Sequence, residues 1–213
     1  MARPGPLNLI TDVPGLSVGN AVDERVRTGV TALLCPGGWN AAVDVRGGGP
    51  GERELSALAL EGLVGQAHAI VFSGGSVFGL GAGDGATAAL SLKGQGLKLH
   101  PASPFLPIVP TVILHDLGNG GDKAFGLEPP YRRLGIEAVE AAGTTFALGP
   151  TGAGRGARAG LIPGGLGSAS VVLEDGLVVG ALAAVNPLGS VLMPDGETFW
   201  AWPFEMDGEF GGA

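Results

Sequence analysis

A glycine-rich turn between an apolar run and a helix-like segment is the stretch of this sequence best suited to chemistry. Residues 69–72 are apolar and partly β-branched, which is typical of a buried strand, and Ser73-Gly74-Gly75-Ser76 follow without a long side chain. Such a turn can aim main-chain N–H groups at a negatively charged oxygen. It predicts either an oxyanion or carboxylate pocket at Gly74 and Gly75, or close packing that needs glycine only for space. The glycine spacing matches neither a dinucleotide fingerprint nor a phosphate-binding loop.

Asn186 is the second candidate. It follows the apolar run 177–185 and precedes Pro187. An amide delivered by a buried strand can donate a hydrogen bond to an oxyanion. An asparagine before proline also commonly bonds the backbone of its own turn, and the sequence leaves both interpretations open. The glycine-rich loop 149–160 could likewise cradle an anion.

Acidic residues follow another apolar run, residues 108–114. Asp116 follows this run after His115, and Asp122 lies in the glycine-rich loop beyond it. Because loops at strand ends often carry function, these carboxylates and that of Glu52 are candidates for binding a substrate ammonium group. Each of them could instead form a structural ion pair.

The sequence gives no sign of a metal or redox site. Its single cysteine, Cys35, ends an apolar run, is interpreted as a buried bystander, and cannot form an internal disulfide. The three histidines, His68, His100 and His115, lack zinc-type spacing. We therefore expect no metal and no cofactor. No HExxH motif is present either, and the GxSxG pattern at residues 15–19 falls in a predicted strand rather than on a strand-to-helix turn, so the sequence contains no obvious nucleophile.

Short strands and a few helices must position these residues. A turn signal at Asp175-Gly176 joins two of the predicted strands into a hairpin. Since strands and helices are mixed without strict alternation, we predict an α+β fold or a layered α/β sandwich in a single domain over residues 1–213. Strands are predicted over residues 16–19, 28–34, 41–45, 69–72, 108–114, 166–173 and 177–185, and helices over 55–63, 82–90 and 131–142.

Composition and charge exclude several classes of protein. The net charge is −8 and no basic cluster occurs, so nucleic acid is not an expected partner. The 41 glycines among 213 residues far exceed the usual share of about 7% and indicate many tight turns. Only 15% of residues are charged, which predicts a substantial surface buried against other subunits. No run has the length of a membrane span, and we expect a cytoplasmic protein.

Eight segments, taken in order, resemble the L-aminopeptidase/D-esterase family, which includes β-peptidyl aminopeptidases and nylon-oligomer hydrolases. Each segment is short, but the ordered series is specific and spans nearly the whole chain. The segments are ITDVPGLSVGN (10–20), TGVTALLCP (28–36), VDVRGGGPGERE (43–54), HAIVFSGGSVFGLGAGDGA (68–86), LPIVPTVILHDL (106–117), the loop 149–160, GGLGSAS (164–170) and VGALAAVNPLGSV (179–191).

This resemblance implies a four-layer α/β/β/α sandwich like that of the N-terminal-nucleophile hydrolases. Members of the family are made as a precursor that cleaves itself once, and the new N-terminal Ser or Thr of the second piece is the nucleophile. The 213 residues are then expected to be the α subunit, and a β subunit from the same precursor supplies the nucleophile. Assembly into a homo-oligomer of αβ units, a tetramer, is also implied. The expected activity is hydrolysis of N-terminal amide or ester bonds in small peptides or amino-acid derivatives.

The resemblance also implies roles for individual residues. Asn186 matches the family asparagine that helps form the oxyanion hole, with N–H groups near Gly74 and Gly75 as further donors. Phe78 stands at a substrate-contacting position where several members carry Tyr, and Pro163 stands where they usually carry Lys. These two departures keep other functions open, namely an acyltransferase like ornithine acetyltransferase and a non-catalytic oligomeric binding protein.

Overall fold

The computed structural model describes residues 2–205, 208, 211 and 212. The helices are α1 (Gly81–Leu92) and α2 (Tyr131–Glu140), and 3₁₀ turns span Ile10–Asp12, Leu55–Leu58, Ser76–Leu80, Gly152–Gly154 and Trp202–Phe204. The strands are β1 (Arg3–Pro4), β2 (Ser17–Asp23), β3 (Thr28–Asn40), β4 (Glu52–Arg53), β5 (Gln66–Ser73), β6 (Thr111–Ile113), β7 (Arg158–Ala159), β8 (Ile162–Pro163), β9 (Gly165–Val172) and β10 (Val178–Val185).

A five-stranded sheet in the order β2-β3-β5-β6-β4 forms the centre of the fold. Its long strand β3 is antiparallel to both β2 and β5, whereas β5 and β6 run parallel. Side chains alternate along β3 because successive residues of a strand point to opposite faces. Val30, Ala32 and Leu34 pack in the cluster that contains the helices. Leu33 and Cys35 pack in a separate cluster on the other face.

The two helices cover the first face and lie unusually close to each other. A Cβ atom added at Gly85 would stand 2.0 Å from the carbonyl oxygen of Arg132, and one added at Gly135 would stand 2.1 Å from that of Ala82. Only glycine permits such an approach of two backbones. The small residues of α1 therefore serve helix packing.

A second sheet, in the order β1-β9-β10, covers the opposite face. Leu182 of β10 and Ile70 of β5 pack against the same buried cluster, and so do Ala184 and Phe72 at a second cluster. The described residues thus build three layers, which are the helix pair, the five-stranded sheet and the three-stranded sheet.

The hairpin and both long helices were predicted correctly, and three short elements differ. Residues 41–45 are not a strand, because β3 continues to Asn40 through a shift in register between Leu34 and Trp39. Residues 55–63 contain only the 3₁₀ turn Leu55–Leu58. The strand predicted over 108–114 narrows to β6, since Pro110 has no N–H for the ladder.

No helix among the described residues is long and apolar enough to cross a membrane.

Candidate active site

The turn after β5 is packed against a buried carboxylate and a buried phenol. Gly75 adopts a left-handed conformation with φ of 86°, which favours glycine. A Cβ atom at Gly75 would lie 2.0 Å from the ring of Tyr131, and one at Gly74 would lie 2.1 Å from the Asp116 carboxylate. Close packing therefore accounts for both glycines.

Asp116 fixes this turn. Its side chain accepts a hydrogen bond from the Thr28 hydroxyl at 2.6 Å and from the main-chain N–H of Gly75 at 2.7 Å. The N–H of Gly74 donates to the carbonyl of Gly29 at 2.9 Å. Both N–H groups that the sequence suggested as oxyanion donors are thus engaged within the chain. Asp116 itself is 2% exposed, which fits a structural acceptor better than a site for a substrate ammonium group.

Tyr131 closes the inner side of the turn. Its side chain is fully buried, and burial raises the pKa of its phenol to about 12. The hydroxyl lies near Asp116 and Thr28, but it makes no hydrogen bond of good geometry within the described residues. The phenol is therefore neutral at physiological pH.

Asn186 directly follows β10, and both the oxygen and the nitrogen of its side-chain amide form hydrogen bonds. Its Oδ1 accepts from the main-chain N–H of Arg158 at 2.9 Å, and its Nδ2 donates to the carbonyl of His115 at 3.0 Å. His115 directly precedes Asp116. The parallel strands β5 and β6 end on the same side of the sheet, which places Gly75 and Asp116 together. The hydrogen bond to His115 brings Asn186 to the same end of the molecule.

The other two sequence candidates lie differently. Phe78 is 45% exposed, and its ring stacks edge-to-face on Phe125 with a centroid distance of 5.3 Å. Asp122 forms an exposed ion pair with Arg25 at 2.8 Å. This pairing is the structural alternative that the sequence had left open for Asp122.

Three arginines near Asn186 were not singled out as individual residues from the sequence. Arg27, Arg155 and Arg158 line one cavity together with Asn119. The loop 149–160 had been noted as a cradle for an anion, and it supplies two of the three. Nothing in the sequence connected Arg27 or Asn119 to that loop, because the contact is long-range.

Cys35 lies between the two sheets, away from this end. It is 5% exposed, and burial raises the pKa of its thiol to about 11. The thiolate is the reactive form of cysteine. We therefore expect Ellman's reagent at pH 8 to modify Cys35 at least about 100-fold more slowly in the folded protein than in urea. Rapid modification of the folded protein, followed by absorbance, would contradict this burial.

Within the described ranges, no group of three or more His, Cys, Asp and Glu side chains is arranged to hold a metal ion.

Comparison with known proteins identifies the family of this chain. The sequence profile of peptidase family S58 matches residues 8–202. An uncharacterized aminopeptidase of Mycobacterium tuberculosis is 39% identical over 212 residues, which cover 96% of this chain and 59% of the relative. A 6-aminohexanoate-oligomer endohydrolase of Kocuria sp. is 32% identical over 188 residues, covering 85% of this chain and 48% of the relative.

Solved structures agree on the fold. A β-aminopeptidase from Burkholderia sp. superposes with a TM-score of 0.69 at 27% identity, covering 91% of this chain and 56% of that structure. The L-aminopeptidase D-Ala-esterase/amidase of Ochrobactrum anthropi, a variant of the Ntn hydrolase fold, gives 0.66 at 22% identity, covering 89% and 56%. The α+β class and the likeness to N-terminal-nucleophile hydrolases are thereby confirmed.

The chain spans about 59% of the length of the mycobacterial relative. The profile match nevertheless covers nearly all of the chain, and the relatives carry aminopeptidase and oligomer-hydrolase names, as the sequence resemblance had implied. The chain belongs to peptidase family S58.

Proposed function

We propose that residues 1–213 form a single domain, the α part of a self-cleaving aminopeptidase or amidase that acts on N-terminal amide or ester bonds of small peptides or amino-acid derivatives. The observation that carries this proposal is the match to peptidase family S58 over residues 8–202. Relatives and structural neighbours with aminopeptidase names support it. The Ser or Thr nucleophile would come from a β part outside these residues.

In the proposed mechanism Asn186 stabilises the oxyanion. Its Nδ2 has two hydrogens, and the carbonyl of His115 takes one of them. The other can donate to the oxygen that becomes negative when the nucleophile attacks the amide carbonyl. The nucleophile's own α-amine takes the hydroxyl proton and passes it to the leaving amine. Water then releases the acyl group. Since the N–H groups of Gly74 and Gly75 are engaged, Asn186 carries this role in our scheme.

The apolar outer face of the three-stranded sheet is an argument for a second part of the protein that would cover it. Along β10, Val179, Ala181, Ala183 and Val185 point away from the five-stranded sheet, and Val179 is 49% exposed. Their partners across the ladder on β9 are apolar as well, namely Val171, Ala169, Gly167 and Gly165. An apolar sheet face of this kind is normally covered. A second helical layer from the β part would cover it and complete four layers.

We also propose that αβ units assemble into a homo-oligomer, with a tetramer as the expected state, in the cytoplasm. Many large apolar side chains are exposed on the described surface, and their burial between αβ units supports this proposal. Leu60, Leu92 and Leu127 are each at least 90% exposed.

Self-cleavage is tested by the intact mass and N-terminal sequences of the purified full-length gene product. We expect two polypeptides that co-purify, with Ser or Thr at the start of the second. Replacing that Ser or Thr by Ala is expected to leave a single uncleaved chain. If the unmodified product is one uncleaved polypeptide without amidase activity, the proposed function is wrong.

A further inference from the structure

A cationic cavity beside Asn186 has no role in the mechanism above. It has a volume of about 270 Å³. We call it the arginine pocket and define it by Arg27, Asn119, Arg155 and Arg158. Three of the chain's 12 Lys and Arg residues meet there, although the net charge of the chain is −8.

Among the residues that the structure describes, two of the three guanidinium groups form no ion pair, although the charge of Arg27 helps to lower the pKa of the Glu24 carboxyl. Arg155 forms an ion pair with Glu24 through its Nε and a terminal nitrogen. The guanidinium of Arg158 donates to the carbonyl of Leu161 at 3.3 Å, and neither Arg27 nor Arg158 has an ion pair among the residues that the structure describes. Since guanidinium groups bind carboxylates through paired N–H donors, the arginine pocket has unused capacity for an anion.

The main-chain walls of the arginine pocket are joined by hydrogen bonds within the protein. Nδ2 of Asn119 donates to the carbonyls of Arg27 and Gly156, each at 2.9 Å, and so ties the two sides together. Arg27 has a φ of 56°, a left-handed conformation that is uncommon for a residue other than glycine. Such conformations persist where surrounding contacts hold them, and they occur often at binding sites. A main chain that is already held in place lowers the cost of ordering the pocket when a ligand binds.

The arginine pocket adjoins the proposed oxyanion donor. The main-chain N–H of Arg158 donates to Oδ1 of Asn186 at 2.9 Å, so Arg158 both lines the arginine pocket and contacts the proposed oxyanion donor. A substrate whose carbonyl lies at Asn186 can therefore place a nearby anionic group against Arg158 and Arg27. An aminopeptidase releases the N-terminal residue, so the carboxyl end of a short peptide lies on the leaving-group side.

We infer that the arginine pocket binds the free carboxylate of the leaving group, and that the substrates of this enzyme are dipeptide-like compounds with that carboxylate close to the scissile bond. This inference rests on the proposed function of Asn186.

The test uses the full-length gene product and two neutral-backbone probes that differ in one charge, N-acetylglycine and N-acetylglycinamide, titrated calorimetrically at constant ionic strength. We expect acetylglycine to bind at least about tenfold more tightly than its amide, because a charged hydrogen-bonded pair is lost in the amide. Arg27→Gln and Arg158→Gln should each weaken acetylglycine binding by about five- to twentyfold. Arg46→Gln is the matched control, since Arg46 is 87% exposed and pairs with Asp44 outside the arginine pocket.

Turnover gives a second readout. A dipeptide with a free carboxylate should have a KM at least about tenfold lower than its C-terminal amide, and Arg158→Gln should remove this preference. Equal binding of both probes, or equal effects of all three variants, would overturn the inference. It is also overturned if acetylglycine does not bind and Arg158→Gln instead lowers the melting temperature, since a carboxylate of the protein itself then fills the arginine pocket. Different results would contradict the proposed function, namely the absence of self-cleavage and of any amide turnover.

Discussion

In the full-length, self-cleaved protein, Asn186→Ala lowers kcat by about 10² to 10³ and leaves KM nearly unchanged, if Asn186 donates to the oxyanion. The donor interacts more strongly with the developing negative charge than with the neutral carbonyl of the bound substrate. Its position is set by two hydrogen bonds, from Arg158 and to His115, which orient the remaining Nδ2 hydrogen. The kcat should be normalised to the concentration of cleaved protein, because the same substitution can slow self-cleavage.

Asn20→Ala is the matched control for this experiment. Asn20 also bridges two partners, since its Oδ1 accepts from the Thr31 hydroxyl at 2.7 Å and its Nδ2 donates to the carbonyl of Ala147 at 3.0 Å. Each variant loses two hydrogen bonds of roughly 0.5 to 1.5 kcal/mol, so both should lower the free energy of unfolding to a similar extent. Only Asn186→Ala should lower kcat. A similar loss of kcat in both variants would mean that Asn186 acts through stability alone.

The sequence chose its candidate residues by strand ends, and there is a physical reason why several of them lie at one end of the structure. Gly75 follows β5 and Asp116 follows β6, and these strands are parallel, so their carboxyl ends share one edge of the sheet. The predicted hairpin was also correct and delivers Asn186 to the same end. What the sequence did not contain is the set of partners. The hydrogen bonds of Asn186 to His115 and Arg158 join segments that are distant along the chain.

The arginine pocket was missed for the same reason. Its walls come from the turn before β3 and from the loop before β7, and Asn119 joins them from a third segment. A local sequence pattern cannot show that three distant segments come together. The sequence prediction also failed at residues 41–45, which were predicted to form a strand. Strand β3 continues past Gly37 and Gly38 to Asn40, and residues 41–45 have no regular secondary structure.

Gly85→Ala is expected to lower the free energy of unfolding by about 3 kcal/mol or more, or to prevent folding. A methyl group at this position would stand 2.0 Å from the carbonyl oxygen of Arg132 and 2.9 Å from its carbonyl carbon. These are backbone atoms of α2, which cannot rotate away as a side chain can. The helices would have to separate, and the buried residues between them, Ala82, Ala86 and Leu134, would lose contacts. Urea denaturation of the full-length protein, followed by circular dichroism, measures the effect.

Gly81→Ala in the same helix separates packing from helix propensity. Gly81 has an ordinary helical conformation with φ of −61°, and its nearest potential contact is the main-chain nitrogen of Arg132 at 3.8 Å. Alanine is preferred over glycine in helices by up to about 1 kcal/mol, so propensity alone predicts that both substitutions stabilise α1. The close approach of α1 and α2 predicts opposite signs instead, with Gly81→Ala stabilising and Gly85→Ala destabilising. If both substitutions stabilise the protein, α1 and α2 do not approach each other as closely at Gly85 and Arg132 as described, and the prediction is wrong.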